Sequence, residues 1–198
     1  MVSGKREQIT VIPTFSVNFA EIPIFTHRAD FPVTATLSVM RISHKVDYGV
    51  RVMTTIATRM TEQPGVPVTR LELAEQEGLP PGFLVDILGQ LRNAQLLRSH
   101  RGGTGGWLLA RPAEEIPVAD VIRALEGPLA SVRGVRPHEL SDEGGREPFI
   151  SMWIAVRAAL RGVLEHVTIA DLAKGVLPRQ VAKLAADADS WDPHSPPR

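Results

Sequence analysis

"LLRSHRGGTGGWLLARP", Leu96–Pro112, places four glycines in five positions between two apolar runs, with arginines on both flanks. Such a cluster suits a phosphate-cradling loop, a bare hairpin turn, or the tip of a DNA-binding wing. A dinucleotide fingerprint needs its glycines between a strand and a helix, so that the pyrophosphate meets the helix N-terminus. Here "LLRSH" and "WLLAR" both read as short strands, so the glycines join strand to strand. No GK[ST] sequence of the P-loop kind occurs either. A nucleotide site is therefore not expected. A hairpin tip without side chains lets backbone amides approach a phosphate backbone closely, and Arg98, Arg101 and Arg111 would supply charge at its base.

The segments before the hairpin have helical period. Ile42, Val46, Gly49, Met53, Ala57 and Met60 recur at spacings of three and four, predicting a long amphipathic first helix from Met40. "TEQPGVPVT" breaks it, after which Val68, Leu71, Leu73 and Ala74 suggest a short second helix closed at Gly78. "LPPGFLVDILGQLRNAQ" opens on a proline pair suited to a first helical turn and carries Phe83, Leu84, Ile87, Leu88 and Leu91 at helical spacing. Helix, turn, helix and hairpin follow one another.

Beyond the hairpin, "IPVADVIRALEGP" predicts a further helix, with Pro117 near its start and Gly127 and Pro128 at its end. Residues 131–148 are polar and rich in turn formers and read as a loop. Phe149, Trp153, Val156, Leu160, Val163 and Val167 then alternate spacings of four and three, the seam of a helix packed lengthwise on a partner helix. A dimerisation helix is expected there. Thr168 with Asp171 resembles a capping box for a terminal helix. These two helices occupy residues 149–184, and residues 185–198 are expected to be disordered. Residues 1–39, interrupted by Pro13, Pro23 and Pro32, show neither helical period nor caps. They read as a disordered extension or a misassigned start, since a chain beginning at Met40 would look complete.

Bulk composition sets the bounds. The 198 residues are 43% hydrophobic and 22% charged, as in soluble globular domains. Lysine plus arginine equals aspartate plus glutamate at 22 each, so any attraction to nucleic acid must come from local patches. Met40–Pro112 holds nine basic against six acidic residues, a modest local excess. Cysteine is absent, which excludes disulfides, thiolate metal sites and a conventional iron–sulfur cluster from this sequence. The first 25 residues lack an unbroken apolar run for a signal peptide, and no window suits a transmembrane helix, so a cytoplasmic protein with no membrane partner is expected.

The strings "MRISHKVDYGVRVM", "LAEQEGLPPGFLVDILGQLRNAQLLRSHRGGTGGWLLARPAEEIPVADVIRALEGPL" and "LEHVTIADL" together resemble the Rrf-two family of bacterial winged-helix transcription regulators, over Met40 to about Leu172. The resemblance implies a mainly α fold with a small β-hairpin wing: a winged helix-turn-helix domain over 40–130 plus a long C-terminal dimerisation helix. It implies a homodimer on a partly palindromic double-stranded DNA operator, with the third helix in the major groove and the wing alongside. By position, Arg41, Ser43 and Lys45 look like phosphate contacts. Gly82, Phe83, Val85, Asp86 and Gln90 line the presumed reading helix, with Arg92 one turn beyond Leu88. Arg98, Arg101, Gly102 and Gly103 belong to the wing. Where family members commonly carry Glu followed by Gln or Lys, this chain has Val85 and Asp86, so its operator should differ: an acidic side chain can accept from cytosine, and valine can only touch a thymine methyl.

Sensing members of that family hold an iron–sulfur cluster with three cysteines in the loop before the dimer helix. Aligned on Trp153, those places fall near Gly134, Ser141 and Glu147, none of them a thiol. Asp47, at a position that supplies a ligand in one member, reads here as a helix-surface charge. His138, Glu139, Asp142, Glu143 and Glu147 share the loop without the spacing of a compact metal site, and His44, His100 and His166 are scattered. No cofactor and no metal are expected. A small-molecule effector in a pocket lined by Trp153, Val121 and Leu125, a protein partner, and constitutive repression remain open as signal routes. No nucleophile elbow and no grouping of base, carboxylate and nucleophile suggests an enzyme. The expected function is a homodimeric, cluster-free DNA-binding repressor; a winged-helix interaction module that has lost specific DNA binding is the alternative.

Overall fold

Ser43 caps the first helix, α1 (His44–Glu62), by accepting a hydrogen bond from the Val46 amide. The computed structural model describes residues 42–100, 102, 105–132, 134–140 and 147–191. Ile42 lies before the helix and is 78% exposed, so it does not belong to the buried face. That face is broader than its periodic positions suggest and includes Val52 and Ile56 beside Val46, Gly49, Met53 and Ala57. The reason is topological: α1 is packed by four later helices and a strand, so no narrow stripe would cover its contacts. At Gly49 a Cβ would stand 2.3 Å from Leu125 Cδ1, so the Leu125 side chain occupies the space that a larger residue would take.

Helix α2 (Arg70–Glu77) starts at a reciprocal capping box between Thr69 and Glu72 and ends at Gly78 in the left-handed conformation. It buries Leu73 and Ala74, while Leu71 is exposed. Val68 is not helical at all. Its amide donates to the Trp107 carbonyl at 3.0 Å and its carbonyl accepts from the Trp107 amide at 2.8 Å, adding a one-residue third rung to the hairpin. Helix α3 (Pro81–Asn93) carries a proline in its first turn and buries Leu84, Ile87, Leu88 and Leu91. The hairpin itself pairs β1 (Leu97–His100) antiparallel with β2 (Gly106–Leu109), Leu97 facing Leu109 and His100 facing Gly106.

A short 3-10 turn, Ala113–Glu115, leads to α4 (Val118–Glu126), and another, Pro137–Glu139, falls inside the segment expected to be loop. Helix α5 (Glu147–Leu164) begins two residues before Phe149 and stops before Val167. The chain there turns extended to pair Pro117 with Thr168, and the Thr168–Asp171 capping box starts α6 (Ile169–Lys174). A separate helix, α7 (Arg179–Ala186), follows. The expected tail is partly ordered: Ala185 and Ala186 belong to α7, and Ala188–Trp191 form a 3-10 turn whose Trp191 indole donates to the Ala185 carbonyl. The 1–39 extension and the end of the tail lie outside the described residues. Among those described, no helix is long and apolar enough to cross a membrane.

The main core joins α1, α2, α3, both strands, α4 and α6 around Met53, Ile56, Leu88 and Leu97, and a smaller one gathers Val118, Val167 and Val181. A chain of ion pairs runs over their junction. Arg111, after β2, pairs with Asp120 of α4 at 2.5 Å, Asp120 with Arg123 at 3.0 Å, Arg123 with Glu165, and Glu165 with Arg161 of α5 at 2.9 Å. The Arg161 and then the Arg123 hydrogen bonds hold the Glu165 carboxyl down from 4.5 to about 2.

Two predictions come from this packing. A Cβ at Gly106 would sit 2.5 Å from the Val68 carbonyl oxygen, a backbone atom that cannot yield, whereas one at Gly89 in α3 meets nothing within 4 Å. Chemical denaturation should therefore show Gly106→Ala destabilised by about 1–3 kcal/mol through overpacking and Gly89→Ala stabilised by about 0.5–1 kcal/mol through helix propensity. Second, because Glu165 has its carboxyl lowered by folding, its stabilising contribution is complete above 4.5 and is lost as pH falls toward about 2. Melting temperatures of wild type and Glu165→Gln should differ at neutral pH and converge through that acid window.

Candidate nucleic-acid interface

The N-terminal turns of α1 and α3 form one exposed surface, built by aromatic packing beneath and charge above. Tyr48 stands edge-on to Phe83 with ring centroids 5.9 Å apart and stacks with His44 at 6.3 Å, while the Arg51 guanidinium lies 5.7 Å from the Tyr48 centroid. Arg51 also donates to Glu77 at 2.9 Å. That carboxylate, only 7% exposed, accepts a second bond from Thr55, so the end of α2 is locked to the middle of α1. Nothing in the residue spacing marks Glu77 for this role.

Upon this base lie the α3 residues that the sequence suggested for DNA contact. Gly82, Val85 and Asp86 face solvent, Gln90 is half-exposed, and Arg92 is exposed near the C-terminal end of α3. Phe83 is at the border of exposure, its edge against Tyr48, so it belongs to the support as well as the surface. Asp86 is not a free carboxylate. Lys45 Nζ stands 3.1 Å from its Oδ2, and Gln90 Nε2 donates to both oxygens at 2.9 and 3.0 Å. The Gln90 hydrogen bonds first and the Lys45 ammonium second hold the Asp86 carboxyl below its ordinary range. Lys45, Asp86 and Gln90 thus form one coupled group across two helices, a contact that spacing along the chain does not reveal.

Ser43 already accepts from the Val46 amide, which leaves its hydroxyl hydrogen able to donate to a phosphate. At the wing, Gly102 is exposed with φ at +146°. Arg98 on β1 donates from Nε to the Leu109 carbonyl at 3.3 Å. Arg111 is turned away to Asp120, so it does not supply open charge to the wing. Arg41, Arg101 and Gly103 lie outside the described residues.

Helix α5 presents a second surface. None of its 18 residues is buried. Phe149 is 64% exposed, with Met152, Trp153 and Ile154 also open, while Val156, Leu160 and Val163 are half-covered. Val167 departs from the predicted seam: it lies beyond the helix and is buried in the small core, its carbonyl accepting from the Val118 amide at 2.9 Å. The pocket expected between Trp153, Val121 and Leu125 does not form as such, because Val121 and Leu125 are buried in the main core and Trp153 is exposed on α5.

The matching family model is Rrf2, described as an iron-dependent transcriptional regulator, over residues 42–175. Rv1287 of Mycobacterium tuberculosis, named as an inferred HTH-type transcriptional regulator, is 49% identical over 148 residues, 75% of this chain and 90% of that protein. The HTH-type transcriptional regulator CymR of Bacillus subtilis is 33% identical over 68% of this chain and 90% of its own length. The solved structure of the B. subtilis CymR, titled a global cysteine regulator, aligns with a TM-score of 0.57 over 70% of this chain and 99% of that one, and that of T. potens IscR with 0.55 over 75% and 92%.

The donor set does not fit a thiolate-held iron–sulfur cluster, since the 198 residues contain no cysteine. Asp47 is engaged with Arg51 at 3.8 Å, and His138 lies 3.7 Å from Glu139. Among the described residues no three histidines or carboxylates converge on a metal position. The mainly helical fold with its two-stranded wing, the family model over most of the chain, and the identity to curated regulators lead to one conclusion: this chain belongs to the Rrf2 family of transcriptional regulators, not to a family of enzymes.

Proposed function

We propose that the chain is a homodimeric repressor that binds a partly palindromic DNA operator through α3 and the hairpin, without an iron–sulfur cluster. The observation that carries this reading is the exposed surface shared by α1 and α3, where Lys45 pairs with Asp86, Asp86 accepts from Gln90, and Val85 is exposed on the same helix. A helix entering the major groove reads base edges with its N-terminal residues while a neighbouring helix meets the backbone. Val85 suits a thymine methyl, Gln90 the edge of an adenine, and Asp86 the amine of a cytosine. Lys45 and Ser43 would meet phosphates on one flank and the wing on the other.

Dimerisation is supported by α5. An 18-residue helix with no buried residue and with Phe149, Met152, Trp153 and Ile154 open leaves apolar area that a second copy would cover. Symmetric pairing would set two reading helices at a fixed half-site spacing, which is how palindromic operators are read.

The contact assignments are tested by fluorescence anisotropy on the chain's own upstream DNA and a scrambled duplex across a salt series. Lys45→Ala should weaken binding to both and lower the salt slope by about 1, whereas Gln90→Ala should change the preference between duplexes with little change in slope. Equal, weak binding of the wild type to both duplexes would sink the repressor reading in favour of an interaction module. For the dimer, Phe149→Asp with Trp153→Asp should yield a monomer in sedimentation velocity and cost at least about tenfold in operator affinity, because two half-sites would then be bound independently.

A further inference from the structure

We infer that Met60, near the end of α1, is an oxidation site at which hydrogen peroxide loosens the hold of that helix on the wing. The Leu109 amide of β2 donates to Met60 Sδ at 3.3 Å. Alternate amides of a strand leave on the same edge, so Trp107 and Leu109 address one side of the hairpin. The Trp107 amide meets the Val68 carbonyl there at 2.8 Å, and at the next such position the thioether of Met60 takes the place of a further carbonyl. A thioether is a weak acceptor, so this rung is the softer of the two that fasten β2.

The chain has no cysteine and five methionines, so its sulfur chemistry is that of thioethers. Met53 is fully buried in the core and Met152 is 46% exposed on α5. Met60 is half-buried and lines an open cleft of about 610 Å³ between the last turns of α1 and the end of β2, which gives a peroxide access to the side chain. Among the described methionines it alone has a hydrogen bond to its sulfur.

Oxidation would proceed by attack of a sulfur lone pair on one peroxide oxygen. The S–O bond forms as the O–O bond breaks, sulfur is oxidised by two electrons, and the departing hydroxide takes the proton of the transferred oxygen and leaves as water. The sulfoxide is polar and accepts through its oxygen. Should that oxygen take over the Leu109 amide, it stands between sulfur and nitrogen and pushes β2 away from α1. Should it stay in the cleft, the amide is left with a sulfur whose lone pair has been drawn down. Either arrangement changes the rung beside Val68 and Trp107, and with it the seat of the wing. The consequence for DNA rests on the regulator reading; the reactivity of Met60 does not.

The test treats the full chain with increasing hydrogen peroxide and maps it with trypsin, whose cuts after Arg51, Arg59 and Arg70 put Met53 and Met60 on separate peptides. Met60 should take up oxygen while Met53 stays reduced. Hydrogen exchange of the oxidised protein should show lost protection at the Leu109 amide, with Ile56 in the core of α1 unchanged. Operator affinity by anisotropy should fall at least about fivefold and recover with methionine sulfoxide reductases. Met60→Gln should bind like the oxidised protein, and Met60→Leu, with Met152 still in place, should lose its response to peroxide. A Met60 that stays reduced in the folded chain, or an unchanged Leu109 amide after oxidation, overturns the site. An equal loss of affinity in peroxide-treated Met60→Leu assigns the effect to Met152 and overturns the switch, as does oxidised Met60 with unchanged operator affinity. If Met60→Leu does not fold, the peptide map and the Leu109 exchange of the wild type decide. Anisotropy on the reduced wild type separates the two readings: selective binding with an unreactive Met60 keeps the regulator and removes the site, and a reactive Met60 with a loosened Leu109 amide in a chain that does not select its operator does the reverse.

Discussion

The paired backbone hydrogen bonds between Val68 and Trp107 fix the relation on which the rest of the molecule depends. They tie the linker that ends α1 and begins α2 to the second wing strand, so the hairpin cannot swing independently of the helix-turn-helix. The approach is so close that position 106 admits no side chain, and the glycine-rich character of the stretch is therefore in part a packing requirement. Leu97 and Leu109 continue the same restraint from below by joining the core that holds Leu88 and Leu91. On the regulator reading, a wing and a helix that address one DNA site would need such a fixed spacing, because misplacement by a fraction of a helical turn would lose one set of contacts.

What the sequence made legible was the order and kind of the elements. Helical spacing located α1, α3, α4 and α5, and the glycine run located the hairpin, because each is dictated by residues close together in the chain. What it concealed was which face another element covers. Ile42 and Leu71 continue apolar patterns yet are exposed, since periodicity says which residues share a side and not what lies on it. Val167 continues the heptad-like spacing past the point where the backbone leaves the helix to reach the Thr168 cap, and it is buried in the protomer instead of on α5. Helix α7 buries only Val181 and opens on Pro178 without a side-chain cap, so no strong local signal announced it.

The candidate interface was legible as a list and illegible as a set of couplings. Val85 and Asp86 stood out in the chain as unusual choices, and both prove exposed on α3. Their electrostatic setting depends on Lys45, which enters from another helix and could be paired with Asp86 only in three dimensions. Arg111 shows the same limit in the opposite direction. Its place at the foot of the wing suggested open positive charge, and a partner from α4 takes that charge inward.

These pairings change how attraction to DNA must be reckoned. A lysine already facing a carboxylate gains less from a phosphate than a free one, because the Asp86 contact has to be given up first. The vacated carboxylate would then lie beside the DNA with only Gln90 as a donor, and an anion facing a polyanion is costly unless it finds another. On the regulator reading, a cytosine amine in the major groove is the base-edge group that supplies that donor to an acidic side chain. The phosphate contact of Lys45 and the base opposite Asp86 are then one linked exchange: the right base lowers the cost of releasing Lys45, and the wrong base raises it. Specificity would arise from the balance within this pair, in a chain whose equal numbers of acidic and basic residues provide no general pull toward nucleic acid.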